Sequence, residues 1–321
     1  MGAAALLWRP SISFVEWYVN NPYPVWEHAL FAITSRVPWS CGDLAVAAGI
    51  VLLAWRLLRR DWLGAVAALA LYLVWFDAGW GWNYSRAPFE SRVDYDASRV
   101  NHAAVEALRK RAMTEINRLA APAHRHDGDP LDLSSLASFW LPVVQAGGDT
   151  WTPAVGEPKP TLFDPFMNAT ATSGFINPLT LNVQLASDLL WFERPFSLAH
   201  EWTHVAGYAR EDEANYAAIL TCTRSTDPVQ AYSGWIALLE YLPPAQYKKS
   251  DFIPLVWQDF AAIRERNAKR VNLSLSQLSW HTYNAYLKSN HVANGVENYN
   301  EVTRLYLGVR LGRDGLPVRG R

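Results

Sequence analysis

The chain has 321 residues, half of them hydrophobic, and a formal net charge of −1. A balance this close to neutral offers no basic surface for nucleic acid and excludes that class of partner. The length holds a membrane segment plus one globular domain of ordinary size, and two cysteines, Cys41 and Cys222, make no disulfide framework.

Residues 1–40 read as an N-terminal tail. Met1 to Trp8 is apolar but too short for a span and lacks the basic region of a signal peptide. Residues 14–34 mix aromatics with Glu16 and Glu27 and read as an amphipathic stretch lying on the membrane, with a truncated first span as the other reading.

Two apolar stretches follow, within residues 41–82. The first runs over 44–58 and with its flanks approaches the roughly 20 residues that cross a bilayer, its Arg56 placed to snorkel. The second runs over 62–81 and is broken only by Asp77. Buried core helices are seldom this long and this free of charge, so both read as transmembrane helices. Nine of the 16 tryptophans lie at or before Trp82, the crowding expected where indoles sit at bilayer interfaces. The loop Arg56-Leu57-Leu58-Arg59-Arg60-Asp61 is short and basic, hence cytoplasmic, which puts the tail and residues 83–321 outside the cytoplasm.

Beyond Asn83 the pattern is mostly helical. Val105, Leu108, Met113 and Ile116 set a helix over 97–119 that ends at Ala120-Ala121-Pro122. His124 and His126 follow in a polar loop and read as solvated rather than as a second metal site. Residues 145–165, rich in Gly, Pro and Thr, read as a linker or irregular surface. Residues 174–185 alternate like a short strand bent at Pro178, and the proline places it on a sheet edge. Such an edge, just before a site helix, offers unpaired backbone groups to an extended peptide; an ordinary structural hairpin is the equal alternative.

Residues 194–206 read as a largely apolar helix starting near Pro195 and stopped by Gly207. It carries His200-Glu201-Trp202-Thr203-His204, an H-E-x-x-H word. At about 100° per residue the two histidines share a face, within reach of one metal at roughly 2.0 to 2.1 Å. Glu201 lies one residue round, where it can act as general base on a water without being a ligand. A catalytic zinc takes three protein ligands, and the next helix opens with Glu211-Asp212-Glu213. Glu211 and Glu213 lie about 200° apart, so one of them faces the metal. Glu211 is preferred because Asn215 shares its face and could hydrogen-bond a ligand histidine, and Glu213 is the alternative. The remaining acids suit the positive end of the helix dipole.

Further helices read over 233–241, 254–268, 275–288 and 299–311, with a turn at 290–294. His281, His291, Tyr208, Tyr216 and Tyr232 are the candidate oxyanion stabilisers. Cys222 falls on the Glu211 and Asn215 face, about two turns beyond Asn215, and reads as packing.

The run from His200 to Tyr216 is accompanied by Pro38-Trp39-Ser40-Cys41-Gly42-Asp43-Leu44, Trp80-Gly81-Trp82-Asn83-Tyr84-Ser85-Arg86 and Ser173-Gly174-Phe175-Ile176-Asn177-Pro178-Leu179-Thr180. Tyr232-Ser233-Gly234, Tyr286-Leu287-Lys288-Ser289-Asn290 and Gly295-Val296-Glu297-Asn298-Tyr299 complete the set. Together they resemble a family of bacterial membrane proteins known only as domain of unknown function 3810, over nearly the whole chain. The resemblance implies a membrane hairpin followed by a zinc-peptidase-like domain, placed in the bacterial inner membrane, and carries no substrate. A glutamate four residues before an Asp or Asn, after H-E-x-x-H, also resembles the gluzincin metallopeptidases, in which that glutamate binds zinc. This supports Glu211, although most gluzincins place it much farther downstream.

The expected architecture is mainly α with a small β element, a transmembrane hairpin leading into an extracytoplasmic zincin-like domain over 83–321. The expected chemistry is hydrolysis of a peptide or protein substrate by Zn2+ held on His200, His204 and Glu211, with Glu201 as base. Two other readings stand beside it. A membrane sensor of zinc or peptide would need a cytoplasmic output domain, for which the basic loop leaves no room, and a structural zinc site would be closed by a fourth ligand.

Overall fold

The computed structural model describes residues 10–289 and 299–320. Among them, thirteen α-helices surround one two-stranded antiparallel sheet, so the chain is mainly helical with a small β element, as the sequence implies.

Helix α1 (Ile12–Asn20) starts where the Ser11 hydroxyl accepts the Phe14 N–H, and α2 (Pro22–Thr34) starts at Pro22, whose fixed φ suits a first helical position. Val15, Tyr18, Val19 and Tyr23 bury one face of this pair in the core that also holds the H-E-x-x-H helix. The Tyr23 hydroxyl donates to the Val205 carbonyl at 2.8 Å. The other face leaves Trp17, Val25 and Ile33 exposed. The amphipathic stretch is therefore two short helices whose inner side is taken up by protein rather than by lipid.

Helices α3 (Cys41–Leu58) and α4 (Trp62–Gly79) are long and apolar enough to cross a membrane, each about 27 Å at 1.5 Å per residue. Only 11% of each lies buried inside the protein, which is not how a core helix sits. Ser40 caps α3 by accepting the Asp43 N–H, and Asp61 caps α4 by accepting the Gly64 N–H. Arg56 pairs with Asp61 at 2.7 Å across the tight loop that folds α4 back on α3.

The rest of the chain builds on α8 (Arg194–Val205) and α9 (Glu211–Arg224), which pack on each other. Against α9 lie α6 (Leu133–Ala146), α10 (Pro228–Tyr241) and α13 (Tyr299–Gly308). Although its sequence is polar, α9 is buried from Asp212 through Cys222; Ala214, Ala217 and Ala218 let its neighbours come close. α10 covers α5 (His102–His124), and with α11 (Pro254–Arg270) they enclose a second apolar cluster. α12 (Leu273–Ser289) packs on the short α7 (Asp164–Thr170).

Several boundaries differ from the sequence reading, each for a local reason. α5 begins at His102, where Asn101 accepts the Ala104 N–H, and runs through Pro122 to His124. A proline in the last turn leaves only one carbonyl without its donor, and Ala120 and Ala123 are fully buried around it. The single bent strand over 174–185 is a hairpin of β1 (Gly174–Ile176) and β2 (Val183–Leu185). Pro178 sits in the connecting turn, not on an edge strand, because the Asn177 side chain accepts the Leu179 N–H and the Asn177 carbonyl accepts that of Leu181. Residues 147–163 carry no helix or strand but form a strap rather than a linker. Glu27 accepts the Ala154 N–H, Gly156 the Trp202 indole, and Val183 the Lys159 N–H. Asp227 accepts two N–H groups and starts α10 at Pro228, five residues ahead of the expected start. The turn at 290–294, His291 and the 295–298 motif lie outside the described residues.

Candidate metal centre

α8 carries His200 and His204 one turn apart and ends in a turn of defined hydrogen bonding. The Tyr208 N–H reaches the Thr203 carbonyl at 3.2 Å and the Gly207 N–H reaches the His204 carbonyl at 2.8 Å, the pairing of a Schellman motif. Gly207 takes φ +85°, as that motif requires. The turn reverses the chain so that α9 starts at Glu211 beside the histidines. Arg86, in a buried ion pair with Asp149 at 2.5 Å, donates to the Gly207 carbonyl and lies over the Tyr208 ring.

Three donor atoms converge there. The Nε2 atoms of His200 and His204 are 3.0 Å apart, and the Glu211 carboxylate lies 3.3 Å from the first and 3.5 Å from the second. Among the described residues this is the one group of His, Cys, Asp and Glu side chains close enough to hold a metal ion. Nδ1 of His204 lies 2.6 Å from the Tyr208 carbonyl, so it carries the proton and leaves Nε2 facing the cluster. Nδ1 of His200 is buried without a partner among the described residues.

The electrostatics of the cluster favour positive charge at its centre. Burial works against charge on His204, but Glu211 outweighs it and the imidazole is raised to about 9. Burial likewise works against charge on Glu211, yet the two imidazoles hold its carboxyl well below the usual range. Glu201, almost fully buried on the next face of α8, is pushed up by burial, which the two imidazoles oppose and Glu211 reinforces.

The competing acid goes elsewhere. Glu213 accepts the Phe89 N–H at 2.8 Å and pairs with Arg92 and Arg210, on the side of α9 away from the histidines. Asn215 makes no hydrogen bond to either histidine; the carbonyl of Tyr208 takes that place, a main-chain group that no side-chain pattern announces. Tyr208, Tyr216 and Tyr232 are also engaged away from the cluster. The Tyr208 hydroxyl donates to Val144 and that of Tyr232 to Asp259, while the Tyr216 ring packs between Phe89 and Tyr306 with its hydroxyl buried and unpaired among the described residues. His281 is exposed on α12. His124 is half-buried, contrary to the expected solvated loop, with Asp259 at 2.9 Å and Trp191 edge-on, while His126 pairs separately with Asp129. Cys222 is buried and a Cβ at Gly234 would run into it, so it packs.

Two neighbours of the site were not singled out as site residues from the sequence. A Cβ added at Gly174 would collide with the Glu201 carboxylate, so β1 passes directly over the candidate base. The Trp80 indole, immediately after α4, donates to the His204 carbonyl at 3.4 Å. The signal for both was their presence in the short motifs shared with the resembled family.

No curated protein and no solved structure matches this chain. A family model described as "Protein of unknown function (DUF3810)" matches residues 18–307, and with nearly the whole chain covered, the protein belongs to that family.

Proposed function

We propose that this protein is a membrane-anchored, zinc-dependent metallopeptidase of zincin-like build, with its site outside the cytoplasm. The observation that carries the reading is the triangle of two imidazole nitrogens and one carboxylate with 3.0 to 3.5 Å sides. Ligands bound to zinc at 2.0 to 2.1 Å in a tetrahedron stand roughly 3.3 Å apart, so the donor set and spacing fit the ion. The charge-favouring electrostatics support it too, since a cation would satisfy both histidines and Glu211 at once. Bound there, Zn2+ would lower the pKa of a water from about 15.7 toward 7 and polarise a carbonyl.

Glu201 takes a proton from water and passes it to the leaving amine. A carboxyl whose affinity for a proton is raised by burial suits that exchange better than an exposed one. An amide substrate is favoured by the hairpin. With Phe175 opposite Gln184, and with Ser173 and Asn177 bonded to Ala186 and Asn182, the Gly174 and Ile176 main-chain groups point away from β2. That edge, passing over Glu201, can pair with an extended peptide. α3 and α4 anchor the protein, and the basic loop between them favours a cytoplasmic side for the loop.

Metal analysis and peptide hydrolysis by the purified full chain in lipid nanodiscs test the reading. One zinc per chain is expected, lost in His200→Ala and kept in Glu201→Gln, with cleavage of a mixed peptide library lost in both. Zinc without cleavage in the unmodified protein would favour a non-catalytic zinc- or peptide-binding protein, and absence of zinc would overturn both.

A further inference from the structure

The β1–β2 hairpin separates two environments. Gly174 faces the Glu201 carboxylate, and successive strand residues point to opposite faces, so Phe175 faces the other way. Its cross-strand partner Gln184 shares that face and donates to the Ser40 hydroxyl at 2.5 Å, at the N-cap of α3. The hairpin turn is bound to the ends of both apolar helices: Asn182 accepts the Cys41 N–H at 3.0 Å, and Leu179 accepts the Trp75 indole at 3.2 Å. Asp43, in the first turn of α3, accepts from the Thr161 hydroxyl at 3.0 Å and the Leu162 N–H at 2.7 Å. One face of the hairpin thus serves the candidate centre while the other rests on the outer end of the helix pair.

At this level the protein leaves large apolar side chains bare. Leu162 is 84% exposed, and Phe163, Phe166, Phe175, Ile33 and Trp39 are all at least two-fifths exposed. The Ser40 N–H on the Pro160 carbonyl at 3.0 Å and the Lys159 ammonium on the Ser35 carbonyl at 3.3 Å bring Trp39 and Ile33 beside this turn, and apolar groups gathered on one rim mark an interaction surface. The rim is continuous with the apolar flanks of α3 and α4, and Leu162 is hydrogen-bonded to the third residue of α3. A lipid surface that receives α3 must therefore reach Leu162 as well.

We infer that the turn from Leu162 to Phe166, with Phe175, Ile33 and Trp39 beside it, inserts into the outer leaflet of the bilayer and seats the hairpin on the membrane surface. The inference rests on the reading of α3 and α4 as membrane spans. It places the candidate centre one strand's thickness from lipid, so the substrate class becomes polypeptide presented at the membrane surface.

Depth-dependent fluorescence quenching tests it. Leu162→Cys in a Cys41→Ser background carries an environment-sensitive fluorophore in the full chain, reconstituted in phosphatidylcholine–phosphatidylglycerol vesicles; Cys222 is buried and escapes labelling. Matching labels at Ile50→Cys, mid-α3, and at Lys110→Cys, on α5, mark the spans and the aqueous side. Lipids carrying a nitroxide high on the acyl chain are expected to quench the label at 162 several-fold more than aqueous iodide does, with the reverse at 110. Iodide access at 162 with lipid quenching at 50 would overturn the docked surface while leaving the spans intact. Iodide access at both 50 and 162 would overturn the span reading and this inference with it.

Discussion

Nδ1 of His204 sits 2.6 Å from the main-chain carbonyl of Tyr208, beyond the end of its own helix. The orientation of the second histidine is therefore fixed by the turn after α8 rather than by a neighbouring side chain. Gly207 makes that turn at φ +85°, and a Cβ there would come within 3.1 Å of the Asn83 side chain. Gly207→Ala should cost about 1 to 2 kcal/mol from the left-handed backbone alone. A lowered Tm together with weaker zinc binding is the expected result, and unchanged zinc affinity would break the link between turn and imidazole.

The two acids of α9 should separate cleanly. Glu211→Gln is expected to lower zinc occupancy with a small change in Tm. Glu213→Gln should keep one zinc per chain and lose roughly 1.5 to 3 kcal/mol, because Arg92 and Arg210 lose a charged partner. Paired metal analysis and thermal unfolding of the two variants decide it, and the opposite pattern would move the ligand to Glu213.

Glu27 gives the protein a pH dependence remote from the site. It is buried in α2, and burial lifts its carboxyl to about 8, against a weaker lowering by the Ala154 N–H. The folded state then holds a proton that the unfolded chain releases near 4.5, so stability falls as pH rises from about 4.5 to about 8 and levels off above. Glu27→Gln should flatten that slope and stabilise the protein at pH 8 by at most about 4 kcal/mol. Denaturant unfolding in detergent at several pH values measures it; a slope unchanged in the variant would assign it to another group.

Lipid seating of the Leu162 turn has a kinetic consequence. Leu162→Asp with Phe166→Asp should lower kcat/KM for a peptide tethered to a lipid and leave a freely soluble peptide nearly unaffected, since neither residue touches the centre. Equal loss on both substrates would point to a folding defect instead.

The chain is most legible where the physics is local. The H-E-x-x-H spacing, the glycine stop and the acidic opening of α9 each depend on one turn of helix and its cap, and α3 and α4 follow from length and apolarity alone. The bent strand went astray because its course depends on the Asn177 side chain bonding its own backbone, which competes with a continuous strand. Asn215 was a reasonable partner for a histidine by helical face, yet a carbonyl outside the helix took the role.

The sequence by itself determined which side chains could meet across one helical turn: His200 with His204, and Glu201 beside them. It left Glu211 and Glu213 as alternatives, because α9 can be rotated about its axis without changing its own pattern. Tertiary structure decided between their positions. The Gly207 turn sets the angle between α8 and α9, and the Phe89 N–H with Arg92 draws Glu213 to the far side, so Glu211 is the carboxylate left facing the histidines. Other long-range contacts, from Trp80, Tyr23 and the β1–β2 hairpin, bring the site to the end of the helix pair where α3 begins and α4 stops, a proximity that no local pattern encodes.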